Sequence, residues 1–443
     1  MTFSCAAVLI AMLLLLPSCH HSDEPPVQPK TTMQLTATDT GVVYARLRVQ
    51  VTYTNIAYSL MIKRDSSSIF TSPQSLTDTT VVDTALLPKH TYNYKAYALA
   101  NGRAIDSSGQ LAITTMDTTS HNIIWQMYTL GDGNSSILKD VCIVNDTCVW
   151  AVGEISLRDS TGQWDTKPYG AAYWNGSKWS LIKVPYHDYG TTITYPGPLR
   201  AVFAFNSTSV YVASYANLLK WDGNSWQEKA FVMTGIPFNG QINKIWGINE
   251  HQIYMVGNSG AIFYYNGASV IPLQSGTTLD IQDIWGAQDK NGNWEILAAA
   301  GNYYISNERK ILSIKGTTVI ALSDSGINWA LSSVWFKPGK QYWMVGTGLW
   351  EKNYSLNSSL WKGGPNIITT FTTNRIRATD INDIFICGSF GDLVHFNGVS
   401  WHSYYEQTQL YDGAFYSIVL NGNLIIAVGE DNPLAAVAIG KWN

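Results

Sequence analysis

Nine side chains suited to surface recognition lie in the polar stretches of this sequence: Trp164, Tyr169, Tyr186, His187, Tyr189, Tyr195, Trp350, Tyr354 and Tyr411. Each ring offers an apolar body and a polar tip, the combination that stacks on a sugar or anchors a protein contact. The same rings would serve as caps of the loops that carry them, and both readings stay open. Asp159, Asp165, Asp188, Glu351, Glu430 and Asp431 share the same stretches. Glycosidic cleavage needs two carboxyls several ångströms apart. Spacing alone brings no two of these together, and solvated surface accounts for them more simply. The eight His are scattered without a His-x-x-x-His, and neither Gly-x-Ser-x-Gly nor Cys-x-x-Cys occurs. Gly131-Asp132-Gly133-Asn134 is too short for a calcium loop and reads as a turn. The expectation is therefore binding without turnover, with no metal and no cofactor.

Such residues need a scaffold. The chain has 443 residues, of which 14% are charged, and a net charge of -4, which leaves no electrostatic footprint for a phosphate backbone. Nucleic acid is not an expected partner. With 25 Tyr, 17 Trp and 36 Gly, the composition suits short twisted strands joined by tight turns, so the expected class is all-β. All the Trp lie at or after Trp125, which places a boundary near Thr118-Thr119-Ser120. Before it, Ala45 to Val51 and Tyr92 to Ala98 alternate apolar and polar in strand fashion. Residues 31–118 fit one small β-sandwich.

After the boundary the sequence repeats. Apolar runs ending in a small residue close at Gly153, Ser214, Gly257, Gly301, Gly346, Gly388 and Gly429, seven copies with a first interval of 61 residues and later ones of 41 to 45. Periods of 40 to 50 residues mark the blades of a propeller. A second marker follows at the next hairpin: Trp174-Asn175-Gly176, Trp221-Asp222-Gly223, Tyr265-Asn266-Gly267 and Phe396-Asn397-Gly398. Asn-Gly and Asp-Gly supply the positive φ of tight turns, and the flanking aromatics read as packing between blades rather than a sugar platform. The seventh copy stops at Gly440-Lys441-Trp442-Asn443, one strand short, while residues 122–130 precede the first copy and resemble an outer strand. Joining them removes an exposed sheet edge and closes a ring over residues 121–443. Insertions at Glu154–Gly170, Pro185–Pro198, Glu351–Ser358 and Glu406–Ala414 are expected on a single face of that ring.

Three resemblances follow from these residues. Region 121–443 resembles the seven-bladed β-propellers of photosystem assembly factors, Asp-box sialidase-like repeats and kelch proteins. Ala321 to Trp329 contains only an out-of-register Asp-box, and no arginine triad or paired kelch glycines accompany it, so family activities do not carry over. Leu86-Leu87-Pro88-Lys89-His90-Thr91-Tyr92 resembles the fibronectin type III stretch entering the sixth strand, with Tyr92 at the tyrosine corner, although that family's core Trp is missing. Ala6 to Leu16 forms an apolar export-signal core, and Leu16-Pro17-Ser18-Cys19 resembles a bacterial lipobox. That resemblance implies a signal peptide over 1–18, lipidation at Cys19, a flexible tether over 19–30, and an outer membrane lipoprotein facing the cell surface or the periplasm. The expected protein is thus a monomeric, lipid-anchored binder of a glycan or protein, which meets the membrane through its anchor only. A propeller hydrolase or lyase acting on extracellular polysaccharide is the alternative, and a structural or assembly factor the second.

In an oxidising compartment, Cys142 and Cys148 flank Asn145-Asp146 on adjacent strands. A three-residue loop would place them near enough to bridge, whereas a two-residue loop would part them. A disulfide and two separate buried thiols are both open.

Overall fold

A computed structural model describes residues 32–52, 56–187, 193–215, 217–231, 241–302, 305–357, 360–369 and 371–443. The expected signal, tether and Cys19 lie outside these residues, as do Tyr189 and Asp188. The described residues divide into two compact units, a smaller one within residues 32–113 and a larger one over Thr114–Asn443 that also takes in Asp39–Ala45 and Thr84–Thr91. Among the described residues no helix is long and apolar enough to cross a membrane.

Two sheets form over residues 32–114. One has the order Thr32–Thr40, Tyr44–Thr52, Asp78–Thr84. The other runs Ser67–Ser72, Ser59–Arg64, Thr91–Ala100, Arg103–Ser107, with Leu111–Thr114 also on Thr91–Ala100. The alternation read from sequence buries Ala45, Leu47, Val49 and Val51 from one sheet and Tyr92, Tyr94, Ala96 and Ala98 from the other. Inside, Asp83 accepts from the Tyr94 hydroxyl at 2.8 Å and from Arg64, so no buried charge is left alone.

Residues 123–442 build seven four-stranded antiparallel sheets, the blades of a β-propeller. The innermost strands are Ile137–Asn145, Ala201–Asn206, Ile242–Asn249, Ile281–Gln288, Leu331–Lys337, Thr373–Asp380 and Gly413–Asn421. Each blade packs on both neighbours, so its second strand is buried on both faces and loses the alternation of a half-exposed strand. Val149-Trp150-Ala151-Val152 is buried throughout, which is why continuous apolar runs marked the repeat. Seven apolar clusters result, each shared by two adjacent blades, and the one joining the seventh blade to the first contains Val149, Ala151, Ile426 and Val428. The turn markers sit where their dihedrals require: Gly176, Gly223, Gly267 and Gly398 have φ between 92° and 99°. Their aromatics pair across the strands, Trp174 with Trp179 at 5.5 Å between centroids and Trp221 with Trp226 at 5.5 Å.

The seventh sheet takes its outer strand from the start of the ring. Ile123–Leu130 runs antiparallel to Leu434–Trp442 in unbroken register from Ile123 opposite Trp442 to Leu130 opposite Ala435. Just before this strand, His121 Nδ1 lies 2.9 Å from Nδ1 of buried His395, whose Nε2 meets Asp383 at 3.1 Å. That contact fastens the start of the strand to the sixth blade.

Candidate functional site

Near the start of the innermost strand every blade has a similar pattern, a buried residue that is apolar in all copies but Thr373, two residues of mostly polar or small type, and an apolar residue. The copies are Leu138-Lys139-Asp140-Val141, Leu199-Arg200-Ala201-Val202, Ile242-Asn243-Lys244-Ile245, Ile281-Gln282-Asp283-Ile284, Leu331-Ser332-Ser333-Val334, Thr373-Asn374-Arg375-Ile376 and Phe415-Tyr416-Ser417-Ile418. Six of the seven carry a β-bulge here: the ladder with the second strand skips Lys139, Asn243, Gln282, Ser332, Asn374 and Tyr416. A bulged residue is released from pairing and re-aimed. These six, with Arg200 and Arg375, line one cavity of about 150 Å³ at the mouth of the central channel.

Beneath the mouth, the second polar positions form a buried ionic layer. Asp283 meets Arg375 at 2.6 Å and Arg377 at 2.7 Å, and Lys244 reaches Asp140 at 2.5 Å. Burial alone would raise the Asp283 carboxyl, but Arg375 and Arg377 together hold it well below the usual carboxylate range. This layer also stitches blades together. Asp140 accepts from Val202 N, Asp283 from Val334 N and Ser333 from Ile376 N, each on a following blade. At the mouth and in this layer five cations (Lys139, Arg200, Lys244, Arg375, Arg377) face two carboxylates, Asp140 and Asp283.

Two of those cations are held differently. Lys139 makes no hydrogen bond or ion pair among the described residues; its Nζ lies over the Tyr416 ring, 4.3 Å from the centroid. The Arg200 Nε is buried without a partner. Burial first, and then the neighbouring Arg200, lowers the Lys139 ammonium to about 8, against a weaker opposing pull from Glu430 and Glu154. Past Tyr416 the cavity adjoins a wider groove of about 440 Å³ lined by Ser135, Phe390, Asp412, Glu430 and Asn432.

The aromatic residues singled out from sequence do not assemble into one platform. Trp350 is 1% exposed within the cluster between the fourth and fifth blades. Tyr186 is also core, packed between the first two blades with its hydroxyl donating to Pro198 O at 3.0 Å. Both are corrections, and their cause is the same: a blade buries both of its faces, so a ring that reads as a loop residue is drawn into packing. The Glu351–Ser358 insertion is corrected as well. Gly346 pairs directly with Gly348, so the chain turns at Thr347 and Glu351 lies inside the third strand. Tyr354 then follows that strand, on the ring face opposite the mouth. Trp164 stacks under Arg158, 4.1 Å from ring to guanidinium, and Tyr169 under Lys183. His187 pairs with Glu228 at 2.6 Å, Tyr195 lies 5.7 Å from Tyr186, and Tyr411 is 93% exposed.

Nor do the carboxylates converge. Asp159 caps its own turn through Thr161 and Gln163, Asp165 pairs with Lys183, Glu351 accepts from Gln341, Glu430 from the Tyr416 hydroxyl, and Asp431 from the backbone of Tyr411 and Asp412. Cys142 and Cys148 are separate buried thiols. A two-residue turn at Asp146-Thr147 sets Cys148 opposite Asn145 and Cys142 opposite Trp150, so neither faces the other across the ladder. The group of three or more His, Cys, Asp or Glu that a metal would need does not occur among the described residues.

Solved structures share this ring. YCF48 bound to D1 peptide aligns with a TM-score of 0.52 and 14% identity over 72% of this chain and 95% of that one. Virginiamycin B lyase from Staphylococcus aureus aligns with a TM-score of 0.51 and 10% identity over 72% of this chain and 99% of the lyase. What they share with this chain is the fold. No protein family model and no curated protein matches the chain.

Proposed function

We propose that this chain is an exported, lipid-anchored binding protein whose propeller recognises a glycan or protein without catalysis. The supporting observation is the mouth: all seven blades contribute to a single cavity, one residue each except the sixth, which supplies Asn374 and Arg375, on the face where the blade-to-blade connections enter. The candidate carboxylates among the described residues are each held by a local partner, an arrangement suited to structure rather than to paired acid and base work. Among proteins of this fold, YCF48 has been solved with D1 peptide, so protein ligands belong in the screen beside glycans. The unit over residues 32–113 is, in this reading, a fibronectin type III-like spacer, a view supported by its three-stranded and larger partner sheets and by buried Tyr92. Cys19 carries the lipid.

Palmitate labelling and membrane fractionation of Cys19→Ala test the anchor, with loss of label and release from the membrane expected. A glycan array and peptide capture on the purified full-length protein test the binding. Depolymerisation of a polysaccharide that a single carboxylate substitution abolishes would overturn the non-catalytic reading.

A further inference from the structure

We infer that the mouth cavity binds the terminal acidic sugar of an oligosaccharide, with the sugar carboxylate against Lys139 and Arg200 and its hydroxyls donating to the amide oxygens of Asn243, Gln282 and Asn374. This deepens the binding function proposed above and rests on it. Three observations combine. The first is charge. Lys139 and Arg200 come from neighbouring blades, line one cavity and have no ion-pair partner among the described residues. Two such cations side by side repel each other, and an anion between them relieves both the repulsion and the cost of their burial. Arg375 adds a third cation to the wall, itself anchored on Asp283.

The second is hydrogen-bond polarity. Asn243 donates its amide to Asn258 Oδ1 at 2.7 Å and to Ile281 O at 3.1 Å, Gln282 donates to Gly301 O at 3.1 Å, and Asn374 donates to Phe415 O at 2.8 Å. Asn243 thus has both amide hydrogens engaged and Gln282 and Asn374 one each, so each carboxamide has its oxygen to offer as an acceptor, and Gln282 and Asn374 keep one donor besides. Ser332 donates to Thr373 O and Val345 O and likewise keeps acceptor capacity. Amide and hydroxyl oxygens beside cations match a ligand with both a negative charge and several O–H groups, which donate to those oxygens and can accept from the remaining amide hydrogens. A sugar acid has both. A peptide C-terminus brings the carboxylate but few donors, and inorganic phosphate brings no carbon-bound hydroxyls.

The third is room and the charge of what lies beyond. About 150 Å³ accommodates one ring-sized group. The adjoining groove carries Asp412 and Glu430 on its walls, where further carboxylates would be repelled. The acidic unit is therefore terminal, and the units leaving along the groove are neutral.

Titration calorimetry on the full-length protein tests this with two probes, an aldobiouronic acid ending in glucuronate and sialyllactose, each beside its methyl ester. At least one acid should bind, its ester at least tenfold more weakly, and Lys139→Gln and Arg200→Gln should each weaken it fivefold or more. Neither cation makes a hydrogen bond between blades among the described residues, so neither variant should lower the melting temperature. Affinity for the acid should also fall as pH rises from 7 to 9, because Lys139, flanked by Arg200, Tyr416, Glu154 and Glu430, loses its proton, and this dependence should vanish in Lys139→Gln. Equal binding of acid and ester, or binding indifferent to both substitutions, overturns the inference. So does capture of an acetylated peptide through its free carboxylate with no response to either sugar acid. Binding of neutral glycans or peptides away from the mouth would leave the proposed function standing without this site, whereas no binding of any glycan or peptide would remove both.

Discussion

Lys139 shows how one residue combines the roles of ring component and ligand group. Its ammonium sits below the ordinary lysine value of 10.5, at about 8, so the folded state holds this proton less tightly than the unfolded chain. The unfolded chain binds more protons between pH 8 and 10.5, so stability contributed here is complete above that window and lost as pH falls through it. Lys139→Met should therefore stabilise the ring by about 1–3 kcal/mol at pH 7 and flatten the alkaline rise, measurable by urea denaturation at pH 7 and 10.5. His121 behaves alike at acid pH. Burial first, then His395 and His402, lower it to about 4. Stability should drop by about 1–2 kcal/mol as pH falls from 6.5 to 4, and His121→Gln should lose most of that slope in the same assay. Neither residue was legible in the sequence. Lys139 and Arg200 lie outside the loop stretches whose rings and carboxylates invite a reading as chemistry. Their signal was present nonetheless, as a pair of mostly polar residues just ahead of an apolar one, repeated once per blade. The rings of Trp350 and Tyr186 misled for the opposite reason: polarity of the flanking sequence marks a loop, but only packing decides which way a side chain within it turns.

The repeated strand and its bulge are the units that place the site. Second strands were readable because burial on both faces leaves an uninterrupted apolar run, and Asn-Gly turns marked the next hairpin. First strands were harder to read, since a bulge breaks the period of two on which strand reading depends. The closing strand was legible as a gap at one end and a spare segment at the other. It pairs over eight residues and buries Ile123 against the sixth and seventh blades. Deleting residues 122–130 should expose the edge of Leu434–Trp442, lower the melting temperature by more than about 10 °C and promote aggregation, as read by calorimetry and light scattering. An unchanged melting temperature would show that the ring does not depend on this strand.

At the scale of the whole ring, seven similar blades give a mouth that is chemically uneven. Cations stand on the first, second and sixth blades, uncharged amides and a serine on the third, fourth and fifth, and tyrosine on the seventh. Near-symmetry in the backbone with asymmetry in the side chains is what lets a ring hold a ligand in one orientation. Closure has a further consequence, in time rather than in space. Ile123–Leu130 is the first strand of the ring to be made, and its partner Leu434–Trp442 is the last. Blades one to six can form as the chain emerges, but the first strand must wait, unpaired, with Ile124 60% exposed even in the finished ring. The ring therefore checks its own length: a chain ended early by nonsense or proteolysis retains a solitary strand and an open seventh sheet, and only a full-length product can hide both.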